Sequence, residues 1–320
     1  GLDFNYALKG DINASDVQGY EAIGGTTGFT GTFDGRGNRV IGLTVNATDS
    51  TNNKTNAGIF STVGEGGVVK NVNIYSGNFT GTDNAGAVAG MNSGRIENVT
   101  GFGNTVTVTG DTNNAGNAGG IVGVNNGTGT FNDNNDSAST LIGYGIYDVQ
   151  SIGSVIAGNN KVVAGGLVGT NNGSLGNSYS DSAVTSTAGT TEGLGGVVGV
   201  NTVVGNVQYV DSLGVTNGGT NSNKVGGIIG VNNGNMYSGY NESIVTGNNN
   251  VGGIIGVNSE DVTNIVNATG VEGHDYVGGL IGDNAGNVTD GRNNGTITGN
   301  EYVGGMVGSN ADGSQLEKPY

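Results

Sequence analysis

Few side chains in this sequence are equipped for chemistry. His274 is the one histidine in 320 residues, and cysteine is absent. A His-Glu-x-x-His zinc site needs two histidines one helical turn apart, so that class is excluded, as are thiolate metal sites and disulfides. A Ser-His-Asp triad would depend on His274 between Gly273 and Asp275, where a solvated turn histidine is the plainer reading. The carboxylates offer more. Asp275 and Glu301 stand at equivalent places in two copies of a repeat, and stacking those copies would bring them to about 5 Å, the separation used by retaining glycosidases. A solvated acidic column or a weak Ca²⁺ site would use the same pair. Asp133 and Asp136 in "NDNND" are a second calcium candidate without the full spacing of a calcium loop. No other cofactor is expected. The next column holds Tyr276 and Tyr302, whose rings would stack. Aromatic faces beside acidic acceptors suit a neutral sugar, and the structural alternative is that they shield a corner of the core.

Whatever positions these residues must be the repeat itself. "NNNVGGIIGVN", "HDYVGGLIGDN" and "NEYVGGMVGSN" follow one another near the C-terminus. The first glycines of such units fall at Gly86, Gly119, Gly165, Gly195, Gly226, Gly252, Gly278 and Gly304, separated by 33, 46, 30, 31, 26, 26 and 26 residues. A degenerate copy begins at Gly58. The 46-residue interval contains "NDNNDSAST", residues 132–140, as an inserted loop or an extra coil.

Short aliphatic runs punctuated by Asn-Gly and Thr-Gly are too glycine-rich for paired helices and too regular for a sandwich. They predict an all-β fold of stacked parallel coils. About 12 coils at roughly 4.8 Å each would make a rod on the order of 55 Å long. Two residues after the marker stand Val88, Ile121, Leu167, Val197, Ile228, Ile254, Leu280 and Met306, an apolar column expected inside. Six after it stand Asn92, Asn125, Asn171, Asn201, Asn232, Asn258, Asn284 and Asn310. By strand alternation these face inward too, and stacked Asn amides can hydrogen-bond from coil to coil, so the column reads as a structural ladder before it reads as a ligand site.

Composition narrows the partners. The 68 glycines would suit disorder, but the many Val and Ile residues suit a pleated surface, so the chain is expected to fold. A net charge of −16 with 10 Lys and Arg repels phosphate backbones and anionic lipid, which excludes nucleic acid as an expected partner. No apolar run of membrane-spanning length is present, so membrane insertion is not expected either.

"VGGLIGDNAGNV" and its siblings resemble the GLUG motif, and "GFTGTFDGRGNRVIGLTVN", residues 28–46, resembles the segment that precedes such repeats in filamentous haemagglutinin-like bacterial surface adhesins. The resemblance covers residues 1 to about 310. It implies a right-handed parallel β-helix of roughly 10–12 coils, exported and attached at the bacterial cell surface. Together with the short turns, this leads to the expectation of a non-enzymatic role: attachment to a surface glycan or protein of a host or another cell. Similar repeats occur beside the catalytic domain of some IgA-cleaving metallopeptidases, so a stalk in a secreted peptidase is a second possibility. A polysaccharide-active β-helix enzyme is the third, and its long cleft-forming loops are not what these short turns offer.

The expected organisation is an N-terminal start or cap over residues 1–56, with Leu2, Phe4, Tyr6, Leu8, Phe29 and Phe33, then the repeats over 57–310 and a polar tail over 311–320. Because "ADGSQLEKPY" is too polar to close a coil, the chain is expected to continue or self-associate at that end.

Overall fold

The computed structural model describes residues 1–320 except 53, 111–114, 133–140, 159–160, 188–190 and 319–320. The described residues form a parallel β-solenoid of about ten turns. Their single helical element is one 3₁₀ turn, Ser50–Asn52. Each turn passes through three faces. In one turn the long face takes Asn235–Asn241 and Val245–Thr246, the glycine face Asn249–Gly252, and the asparagine face Ile255–Asn258. The long face builds a 20-stranded sheet and the other two build nine-stranded sheets.

Where the period is strict, so is the register. Asn249 pairs with Asp275, Gly252 with Gly278, Ile255 with Ile281 and Asn258 with Asn284. The 46-residue interval inserts no coil, since Asn125 pairs directly with Asn171. Part of it folds out as an antiparallel pair of Gly129–Phe131 with Leu141–Gly143.

Inward residues alternate along each strand, as a half-buried sheet requires. Val88, Ile121, Leu167, Val197, Ile228, Ile254 and Leu280 are completely buried in one core, with Met306 partly buried at its end. At the turn between the glycine and asparagine faces the chain folds so tightly that side chains have no room. A Cβ on Gly252 would lie 1.9 Å from the Ile255 carbonyl oxygen and 2.7 Å from that of Leu280.

The long face bends at a column of left-handed residues. Asn71, Asn98, Asp148, Asn177, Tyr209, Ser238, Asn264 and Asp290 all have φ between 48° and 59°. The ladder skips each of them: Glu97 pairs with Tyr147 and Val99 with Val149, leaving Asn98 and Asp148 between. Asn and Asp tolerate this conformation best among residues bearing a Cβ, which explains why they fill most of the column. Tyr209 is the bulky exception.

The two ends differ. Phe29, Phe33 and Phe60 pack together at the N-terminal end, with ring centroids 4.9 and 5.6 Å apart. At the other end Leu316–Glu317 pairs with the Val288–Thr289 segment and lays one more rung on the long face. The tail therefore contributes a strand where the sequence suggested only a polar extension. The last strands of the other two faces, Glu301–Gly304 and Val307–Asn310, are exposed or half-buried.

Candidate functional site

The recurrent asparagines form one hydrogen-bonded column. Each Nδ2 donates to the Oδ1 one turn on: Asn92 to Asn125 at 2.9 Å, Asn125 to Asn171 at 2.8 Å, Asn171 to Asn201 at 2.9 Å and Asn201 to Asn232 at 2.9 Å. Asn232 to Asn258, Asn258 to Asn284 and Asn284 to Asn310 continue it at 2.8, 2.8 and 2.7 Å. In all but Asn232 the Nδ2 group also donates to a nearby backbone carbonyl, that of Glu260 for Asn258. The first seven side chains are buried and Asn310 is exposed. With their amides engaged by each other and by turn carbonyls, these residues close the corner and offer little to a ligand.

A second ladder stands at another corner. Asn241 donates to Asn267 and Asn267 to Asn293, each at 2.9 Å. Sequence reasoning passed over it although these residues also recur every 26 positions. In the preceding turns the same column holds Ser151, Ser180 and Ser212, which breaks the pattern that a reader of the sequence would search for.

Asp275 pairs in register with Glu301 on the glycine face. Desolvation pushes the Asp275 carboxyl up, but hydrogen bonds from the Asn300 amide, His274 and the Glu301 N–H outweigh it and hold the group below its ordinary value. A general acid needs the opposite shift. His274 reaches Asp275 through Nδ1 at 3.1 Å and is otherwise largely in solvent. No group of three or more His, Asp or Glu among the described residues is placed to hold a metal ion. Asp133 and Asp136 lie outside the described residues.

Tyr276 and Tyr302 stack with centroids 4.6 Å apart and planes at 1°. Each has a left-handed backbone, φ 56° and 54°, in a column with Lys224 and Asn250. Stacking consumes one face of each ring. What the pair offers a ligand is its edges, its hydroxyls and the outer face of Tyr302, which is 58% exposed.

A richer aromatic surface lies on the long face, where no repeat signal pointed. Its outer side carries Tyr147, Tyr179, Tyr209, Tyr237 and Tyr240 over four successive turns. Tyr209 and Tyr237 meet edge to face, centroids 5.4 Å apart and planes at 77°. They line a groove of about 410 Å³ with Asn206, Gln208, Asn235 and Asp261. Further along the same strands Asp211 is pushed above its ordinary value by desolvation and by the neighbouring Glu242, while the Tyr240 hydroxyl donates to Glu242 at 2.7 Å.

No family model matches the chain. Over 140 residues it is 35% identical to halomucin of Haloquadratum walsbyi, a match that takes in 41% of this chain and 1% of that protein's length. Among solved structures it is similar to a candidate immunoglobulin A1 protease from Bacteroides ovatus, with a TM-score of 0.51 and 17% identity over 99% of this chain and 76% of that one. At that identity the likeness is one of fold. No helix of the described residues is long and apolar enough to cross a membrane.

Proposed function

We propose that this chain is a non-enzymatic, GLUG-type repeat segment of an exported surface protein of the filamentous haemagglutinin-like kind. Its solenoid holds binding surface away from the cell, for attachment to a glycan or protein on a host or another cell. The observation that carries this reading is the turn-upon-turn stacking of three parallel sheets, locked at one corner by the Asn92–Asn310 ladder. Such a column makes a stiff spacer whose outer residues vary freely from turn to turn, since only inward positions are fixed by stacking. The partial similarity to halomucin, named as a mucin, supports a place at the cell surface. A stalk beside a secreted peptidase domain would use the same solenoid as a spacer.

The test is localisation. An antibody raised against the purified chain should label intact cells of its source as strongly as permeabilised ones. Labelling only after permeabilisation would end the surface assignment.

A further inference from the structure

The long face carries a groove that nothing in the repeat requires. Stacking constrains what points inward, yet Tyr147, Tyr179, Tyr209, Tyr237 and Tyr240 cluster outside, on neighbouring strands of one sheet. Tyr209 occupies a left-handed position, φ 52°, in a column otherwise dominated by Asn and Asp. A bulky side chain there is strained where asparagine would be comfortable.

The groove's geometry suits a ligand with flat apolar faces and many hydroxyls. Tyr209 and Tyr237 meet edge to face, so their contact covers a face of only one ring, where the Tyr276–Tyr302 stack covers a face of each. Tyr237 is 38% exposed. Amide groups of Asn206, Gln208 and Asn235 and the carboxylate of Asp261 surround the rings with donors and acceptors. Gln208 donates through Nε2 to Asn206 Oδ1 at 3.2 Å, while its Oε1 is covered and has no hydrogen-bond partner. A covered acceptor without a donor is an unfinished contact in the wall of the groove. The volume, about 410 Å³, falls in the range of small-molecule sites.

Charge selects among hydroxylated ligands. Asp261 lines the groove and none of the lining residues is basic. An anionic sugar would meet repulsion with no cation to balance it. A large protein partner would need a broader apolar centre than two tyrosines among amides.

We infer that the groove lined by Tyr209, Tyr237, Gln208, Asn206, Asn235 and Asp261 binds a neutral oligosaccharide. The rings pack against sugar faces and the amides take the hydroxyls. This gives a ligand class to the surface-segment reading and takes its biological setting from it, but the two fail separately, since cell labelling needs no sugar and titration needs no cell.

The test is calorimetric titration of the whole chain with neutral hexasaccharides of glucose, mannose and galactose, against sialyllactose and trigalacturonate. Saturable binding of at least one neutral sugar and of neither anionic one is expected. Tyr209→Asn places the column's usual residue at the strained position, so it should melt at or above the parent's temperature and weaken binding by about tenfold or more. Tyr237→Ala should weaken it similarly, while Tyr237→Phe, which keeps the ring, should bind within about threefold of the parent. Binding of none of the neutral sugars would overturn the assignment. So would binding of an anionic sugar alone, or unchanged binding in both Tyr209→Asn and Tyr237→Ala.

Discussion

Asn258 Nδ2 donates to Asn284 Oδ1 at 2.8 Å across 26 residues of chain and one turn of the solenoid, and Asn258 Oδ1 in turn accepts from Asn232. The side chain is therefore a relay. Removing it takes partners from two buried neighbours at once.

Asn258→Leu should destabilise the fold by roughly 1 to 3 kcal/mol, the usual result of leaving buried amides unpaired. Asn310→Leu, at the exposed end of the same column, takes a partner from Asn284 alone and should cost clearly less than Asn258→Leu. Denaturant melts of the two variants make the comparison, and equal effects would mean that burial does not govern the ladder.

Two glycines of the repeats, one inside the stack and one in its last turn, separate a packing requirement from simple composition. Gly252→Ala forces a Cβ into the Ile255 carbonyl oxygen, 1.9 Å away, and should cost about 3 kcal/mol or more. At Gly305 an added Cβ meets nothing within 4 Å, so Gly305→Ala should stay within about 0.5 kcal/mol of the parent. Expression level and urea midpoint of each variant read the difference.

Tyr20 ties the N-terminal layers to alkaline stability. Its hydroxyl donates to the Ile59 carbonyl at 3.0 Å, and burial pushes its pKa from 10.0 up to about 12. The folded state disfavours the phenolate, so this contribution is complete below pH 10 and is lost as pH rises through about 12. The loss amounts to about 2 to 3 kcal/mol at one pKa unit per 1.36 kcal/mol. Melts of the parent should fall faster across that window than those of Tyr20→Phe, which forgoes the hydrogen bond at neutral pH but has nothing to ionise. Parallel curves would show that Tyr20 is not protected.

Much of the architecture was legible because stacking writes itself into sequence. Gly252, Ile254 and Asn258 each repeat 26 residues later as Gly278, Leu280 and Asn284, so face, core and corner could all be read without an alignment. The tyrosine face was not legible. Tyr147, Tyr179, Tyr209 and Tyr237 lie on coils of unequal length, and the skipped left-handed residues shift the pairing, so their distance along the chain does not reveal that they are neighbours. Nor does any residue type announce such a position, since Tyr209 stands where the column elsewhere holds Asn177 and Asn264. The Tyr276–Tyr302 stack was visible from the strict repeat, but only the 1° between its planes shows that the rings spend faces on each other.

Side-chain amide hydrogen exchange, followed by NMR on the ¹⁵N-labelled chain, measures most directly whether one buried asparagine column holds turn upon turn into a single rod. The Nδ2 protons of Asn125, Asn171, Asn201, Asn232, Asn258 and Asn284 should exchange at least about a hundredfold more slowly than those of exposed Asn310, as protected groups in a cooperative core do. Exchange of the interior amides as fast as that of Asn310 would contradict the ladder, and with it the stiff rod on which the proposed surface role depends.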